Sequence, residues 1–312
     1  MGKHVVVGAG QVGARLAGLL ADAGHDVVIV TRSGSGPVLP GVTRVAADAG
    51  DAARLTKVAG KADALYNCAN PRYHRWPQDW PPIAAALLQA AEMSGAVLVT
   101  LGNLYGYGPV DRPMTEDTPL ASTGAKGRVR ARMWADALAA HRAGLLRATE
   151  VRASDYFGPE MTGQSFLGDR FLAPILAGRP VRVPADPHQP HSMTYLPDVA
   201  RALMTAGSDE RAWGRPWHVP TTPALTIQEM ADRAAAVAGV RAPRVKPIPH
   251  WVMRAAGAFS PLPRELEETR HQFTRPFVMD STAFESTFGV APTPMDEALE
   301  RTIAWIRATK AA

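Results

Sequence analysis

One short glycine turn limits what this chain can fold into more than any other feature. The apolar run Val5–Val7 passes directly into Gly8-Ala9-Gly10-Gln11-Val12-Gly13. Val12, Leu16, Leu19 and Leu20 then recur at the spacing of one helical face. A strand, a G-x-G-x-x-G turn and an amphipathic helix in that order open a βαβ unit that binds a dinucleotide. Each glycine has a separate physical task. Gly8 allows the tight turn, Gly10 lets a pyrophosphate approach the backbone, and Gly13 lets the helix pack closely on the strand. The N–H groups of Gln11, Val12 and Gly13 then point at the phosphates, at the positive end of the helix dipole.

The same alternation continues. Val27–Val30, Val42–Val45, Leu65–Asn67, Val97–Leu101 and Glu150–Arg152 are short and mostly apolar or β-branched, as strands covered on both faces should be. Helical patterns separate them, with the clearest near Pro82–Ser94 and Ala125–His141. Repeated β-α-β units predict an α/β fold, a Rossmann-type doubly wound parallel sheet. After about Ser154 the rhythm changes. Prolines crowd Pro180–Pro197 and Pro243–Pro263, and short helices are expected near Ser165–Ala177, Thr226–Ala238 and Pro249–Phe259. The expected division is a dinucleotide-binding domain over 1–155, with 197–220 returning to it. A smaller C-terminal substrate lobe is built from 156–196 and 221–312.

Composition removes several function classes. The single cysteine, Cys68, excludes an intrachain disulfide framework and an all-cysteine metal site. No secretory signal pattern opens the chain and no apolar run reaches the ~18 residues of a membrane helix, so a cytoplasmic enzyme without a membrane partner is expected. The net charge of +5 is spread along the chain without a basic block, which argues against a nucleic-acid partner. It would help to attract an anionic cofactor. The expected partner is a small-molecule substrate, and the one protein partner considered is a second copy of the chain in a homodimer.

The second strand ends in Thr31-Arg32-Ser33, with no acid to receive a ribose 2′-hydroxyl. Arg32, flanked by two hydroxyls, suits a 2′-phosphate, so NADP is expected, with NAD as the alternative. Asp48 is either an adenine contact or a turn aspartate. Cys68, Ala69 and Asn70 are small or polar residues at the end of the fourth strand, where the chain would pass close to the cofactor. Cys68 reads as a small buried hydrophobe rather than a nucleophile. The segment Pro71–Pro82 reads as an aromatic loop, with Tyr73, Trp76 and Trp80 as substrate-binding residues. His188 and His191 lie three apart in a proline-rich loop and do not make a metal site.

Leu104-Tyr105-Gly106, then Arg152 through Tyr156-Phe157-Gly158-Pro159, then Tyr195-Leu196-Pro197-Asp198-Val199-Ala200 complete the pattern. Together with the glycine turn they resemble the extended short-chain dehydrogenase/reductase superfamily, in its NAD-dependent epimerase/dehydratase branch. The resemblance covers nearly the whole chain. It implies a cofactor-dependent oxidoreductase or epimerase acting on a small alcohol, ketone, enone or sugar-like substrate. It also implies a Ser or Thr four residues before the V-Y-G tyrosine, and a Y-x-x-x-K pair on the next helix.

Here the chain departs from the family. The serine position is Leu101, with Thr100 adjacent, and Ser122 stands where the tyrosine is expected if Lys126 is the lysine. An atypical active site is therefore expected, with Lys126, Tyr105 and Asn103 as candidate catalytic residues. Lys126 also reads as a cofactor-binding residue, or as part of a solvated face with Arg128, Arg130 and Arg132. Tyr156 is a further candidate for the substrate pocket. The alternatives to an oxidoreductase are a dinucleotide-binding sensor or scaffold, and a non-redox isomerase or lyase on the same fold.

Overall fold

A computed structural model describes residues 1–161, 168–259, 265 and 267–311. The chain forms two compact units. The first comprises Met1–Gly108, Pro119–Ala153 and Val199–Val219, and the second Pro109–Thr118, Ser154–Asp198 and Pro220–Ala312.

The first unit is built on a seven-stranded sheet. Its elements are β1 (Lys3–Val7), α1 (Gln11–Asp22), β2 (Asp26–Thr31), β3 (Val42–Ala46), α2 (Ala52–Ala59), β4 (Ala64–Asn67), α3 (Trp76–Ser94), β5 (Val97–Asn103), α4 (Ala125–Arg142) and β6 (Arg147–Ala153). The strand Pro216–His218 closes the far edge by pairing with β6. The order across the sheet is β3-β2-β1-β4-β5-β6 and then Pro216–His218, with every pair parallel. This is the Rossmann-type parallel sheet expected from the sequence. Because the strands are parallel, the ends of β1, β4 and β5 emerge at one edge, where ligands bind in such sheets. Val5, Leu65, Leu98 and Leu87 are among the core residues that fasten helices to the sheet.

The helix expected from Pro82 starts six residues earlier, so most of the expected aromatic loop is helix. A single 3-10 turn, Tyr73–Arg75, precedes it, and Pro81 and Pro82 lie inside the helix. An internal proline costs about 3 kcal/mol. Trp76 and Trp80, one turn apart, are both buried. Each indole hides roughly 150–250 Å², or about 4 kcal/mol or more at ~25 cal/mol per Å². Burial of the two rings outweighs the broken ladder.

The second unit has its own core, around Phe171, Ile175, Met230 and Leu299. Among its described residues, three small two-stranded sheets are joined by helices that include Asp169–Leu176, Ile227–Ala238 and His250–Phe259. The early part of the helix expected over Ser165–Ala177 lies outside the described residues. Thr226 and Glu229 form a reciprocal capping box at the start of Ile227–Ala238. Asp198 is buried and accepts hydrogen bonds from the Thr293 amide and hydroxyl, both at 2.7 Å. Gly158 has φ +141°, and a Cβ there would lie 3.2 Å from the Tyr195 ring. Pro109–Thr118 belongs to this unit rather than to the dinucleotide-binding stretch around it. The Met114 amide donates to the Val278 carbonyl, and its carbonyl accepts from the Asp280 amide, both at 2.8 Å.

Candidate active site

The glycine turn has the geometry its sequence demands. Gly8 has φ +103°, and a Cβ there would sit 2.6 Å from the Cys68 carbonyl oxygen. A Cβ on Gly13 would run into the Gly8 carbonyl oxygen. At Gly10 an added Cβ meets nothing within 4 Å. Two of the glycines are thus required by the protein's own packing, whereas the third faces open space. Gly10 is also the N-cap of α1 and brings no side chain to the start of the helix. A helix start of this kind is where backbone N–H groups can meet an anion. At the end of the adjacent strand, Asn67 is buried and its Nδ2 has no hydrogen-bond partner among the described residues. A buried donor and a glycine backbone with open space beside it, at the ends of neighbouring strands, fit a pyrophosphate-bearing dinucleotide.

Cys68 is buried, and burial pushes its thiol up to about 12, so it stays protonated and inert. Ala69 is half-buried and Asn70 exposed beyond it. Arg32 is exposed at the tip of β2. Beside it the Thr31 hydroxyl donates to the Ser35 carbonyl at 2.8 Å, and the Ser33 and Ser35 hydroxyls lie 2.9 Å apart. Arg75 holds the Asp79 carboxyl below the usual carboxylate range through a side-chain hydrogen bond, with a smaller contribution from the Arg32 charge. Asp48 is exposed, and its Oδ1 accepts the Gly50 amide at 2.7 Å, which is an Asx turn.

The chemistry-bearing residues gather where β4 and β5 end and α4 begins. The Tyr73 and Tyr105 hydroxyls are hydrogen-bonded to each other. Asn103 Oδ1 accepts the Tyr105 amide at 3.2 Å. Lys126, in the first turn of α4, is buried, with its Nζ 5.4 Å from the centre of the Tyr73 ring. Arg130, one turn further on, is buried with its guanidinium 4.6 Å from the Trp76 ring and 4.4 Å from the Trp80 ring. Its Nη1 donates to the Leu101 carbonyl at 3.2 Å.

Three expectations change. Ser122 precedes α4, with its amide on the Gly106 carbonyl at 3.0 Å and its hydroxyl against Gly127. It cannot form an i, i+4 helical pair with Lys126. The pair that faces inward is Lys126 and Arg130, so Arg130 leaves the solvated face, while Arg128 and Arg132 remain exposed. Trp76 and Trp80 are not an open pocket wall, because they are sealed beneath Arg130. Tyr73 is half-buried in the first unit, and Tyr156 is half-buried on the strand Asp155–Phe157 of the second. The imidazole of His191 is turned to the Gln272 carbonyl and the Asp155 carboxylate, whereas His188 is exposed.

Sequence reasoning also missed a buried polar network behind the site. Arg152 and Glu150 pair at 2.7 Å, and Arg152 Nη1 donates to the Tyr107 hydroxyl, which meets His218 Nε2. Burial works against the Arg152 charge, but Glu150 and Tyr107 outweigh it and raise the guanidinium's pKa. A buried Glu and Arg two apart on one strand share a face, and that alternation was the available signal.

The sequence model of the NAD dependent epimerase/dehydratase family matches residues 4–218. No curated protein sequence matches the chain. Among solved structures, one described as MoeE5 in complex with UDP-glucose and NAD is 22% identical, with a TM-score of 0.79 over 99% of this chain and all of that one. A UDP-glucose 4-epimerase from Thermotoga maritima, solved with UDP-glucose, is 17% identical, with a TM-score of 0.80 and 99% of each chain covered. A dTDP-glucose 4,6-dehydratase from Bacillus anthracis, solved with NAD, is 15% identical, with a TM-score of 0.81 over 100% of this chain and 98% of that one.

Proposed function

The chain belongs to the NAD-dependent epimerase/dehydratase family, and on that premise we propose an NADP-dependent oxidoreductase or epimerase-like enzyme that works without the usual catalytic tyrosine. Its substrate is a small alcohol, ketone, enone or sugar-like molecule, with a nucleotide sugar the first candidate. The observation that carries this reading is the open cradle at Gly10 on the same sheet edge as the buried Lys126.

Gly8, Gly10, Gln11, Val12 and Gly13 would hold the pyrophosphate, and Thr31, Arg32 and Ser33 the 2′-phosphate. Asp48 would contact the adenine, and Cys68, Ala69 and Asn70 would let the chain pass close to the cofactor. A bound nicotinamide supplies hydride transfer at its C4. Lys126 and Arg130 occupy the i, i+4 positions that a Y-x-x-x-K pair would take on this helical face, so no phenol comes from α4. Lys126 is then the cation that binds the ribose, and Tyr105, Asn103 and Lys126 handle the substrate oxygen. Tyr73 and Tyr156 are assigned to substrate contact. Trp76 and Trp80 act from beneath, by holding Arg130 and the Tyr73 turn in place.

No helix among the described residues is long and apolar enough to cross a membrane. Helices α3 and α4 leave a groove lined by Pro77, Pro81, Leu88, Val129 and Met133, the face on which a second copy would pack in a homodimer. Sedimentation equilibrium tests that assembly.

The functional test has two stages. Fluorescence titration with NADPH and NADH measures binding. Turnover is then assayed with UDP-glucose and with simple carbonyl compounds. Absence of binding to either dinucleotide overturns the reading. Binding without turnover on any of these substrates favours a dinucleotide sensor.

A further inference from the structure

Arg130 cannot serve as a mobile catalytic cation, since two indoles and the Leu101 carbonyl hold it. Lys126 stands where the family's phenol would be. The site therefore has its cation on α4 and needs its phenol from elsewhere, and the chain places two there. We propose that Tyr73 and Tyr105 act as one phenol pair that takes and returns the substrate's hydroxyl proton, with Lys126 as its cation. This rests on the enzymatic reading above and deepens it by adding Tyr73 as a catalytic residue.

The backbone brings the pair together. Tyr73 follows β4 and Tyr105 follows β5, and these strands are parallel neighbours in register from Ala64 with Val97 to Asn67 with Thr100. Both rings therefore rise from the same sheet edge as the glycine turn. The Asn103 side chain ties down the amide of Tyr105. A Cβ on Gly127 would lie 2.5 Å from the Tyr105 carbonyl oxygen, so only a glycine lets the start of α4, with Lys126, come this close. Trp76 packs against both rings, at 4.9 Å from Tyr73 and 5.9 Å from Tyr105 between centres.

This arrangement suits proton transfer. When one phenol loses its proton, the other's O–H donates to the new phenolate in a charge-assisted hydrogen bond. The Lys126 charge above the Tyr73 ring favours the anion, and more strongly beside the buried indoles than in water. In oxidation of an alcohol, the substrate O–H proton passes to the phenolate oxygen and the C=O bond forms. The electron pair of the C–H bond leaves as the hydride that the dinucleotide accepts. Reduction returns the proton from the same oxygen.

The test uses the full chain and needs no substrate. Ultraviolet absorbance of phenolate is followed against pH in the wild type, Tyr73→Phe, Tyr105→Phe, Lys126→Met and Lys126→Arg, each checked for a cooperative melt. The early part of the phenolate rise is expected to move to higher pH in Lys126→Met, to persist in Lys126→Arg, and to disappear in either phenylalanine variant. NADPH affinity in the phenylalanine variants should stay within about threefold of wild type, while turnover of any substrate found falls by roughly 10²-fold or more. An unchanged phenolate curve in Lys126→Met, or an early rise that survives Tyr73→Phe, overturns the proposal. Should Lys126→Met fail to fold, a curve in Tyr73→Phe that loses only an ordinary surface tyrosine overturns it equally. A wild type that shows the early rise but binds no dinucleotide would instead refute the enzymatic reading and leave the coupled pair standing.

Discussion

The Tyr107 hydroxyl lies 2.7 Å from His218 Nε2 and 2.8 Å from Arg152 Nη1. A guanidinium only donates, so the Tyr107 oxygen accepts from Arg152 while it is also hydrogen-bonded to His218 Nε2. The network ties the turn Leu104–Gly108, which carries Tyr105, to β6 and to the sheet's last strand. Tyr107→Phe would remove one oxygen from between two buried polar side chains. It should destabilise the protein by about 1–3 kcal/mol in urea unfolding. A loss below a few tenths of a kcal/mol would show that the network does not hold the turn.

Gly10→Val separates binding from folding. The Gly10 backbone, at φ −69°, is one a valine can adopt, and the space beside it is empty of protein. The variant should melt at the wild-type temperature and no longer bind a dinucleotide in a fluorescence titration. Gly13→Ala should do the opposite first. Its Cβ collides with the Gly8 carbonyl, and overpacking of this kind costs about 1–3 kcal/mol or more. Normal NADPH affinity in a folded Gly10→Val would remove the cradle assignment.

Arg32→Ala tests the choice between the two dinucleotides. NADPH binding should weaken by about 1.5–3 kcal/mol, the range for a hydrogen bond to a charged group, and NADH binding should change far less. Equal losses for both would mean that Arg32 acts on something the two cofactors share.

His4 gives the stability an acid limb. It is buried on β1, with Nδ1 3.2 Å from the Tyr66 hydroxyl and Nε2 3.1 Å from His25 Nδ1. Burial, with help from His25, pushes its pKa from 6.5 down to about 4. The unfolded chain therefore binds a proton here at a pH where the folded chain does not. This contribution is fully present above pH 6.5 and is lost as pH falls through about 4. The urea midpoint should drop across that window, and His4→Gln should flatten this part of the curve. An unchanged slope in the variant would assign the acid limb to other groups.

How much could be read in advance depended on how local each signal was. The turn Gly8–Gly13 specifies its own conformation within six residues, because the spacing of strand, glycines and helix is enough to place backbone N–H groups at a helix start. The central strands β1, β2, β4 and β5 were equally legible, since strands covered on both faces are mostly apolar or β-branched, whereas β3 is largely exposed at the sheet edge and β6 buries Glu150 and Arg152. The start of α3 was not. Three prolines argue for a loop, and only the burial of Trp76 and Trp80 against α4 overrides them.

The register of α4 marks the same boundary within the site. The sequence alone determined that no tyrosine stands anywhere in the stretch 121–130, and that Lys126 and Arg130 are four residues apart. It could not determine which residues of that basic stretch face inward, because Arg128, Arg130 and Arg132 carry the same charge and differ only in where the helix begins. That depends on Gly127 against the Tyr105 backbone, and on two indoles contributed from some fifty residues earlier in the chain. The meeting of Tyr73 with Tyr105 was likewise decided in three dimensions. Neighbouring parallel strands carry their loops to one edge, and no pattern within either segment encodes that approach.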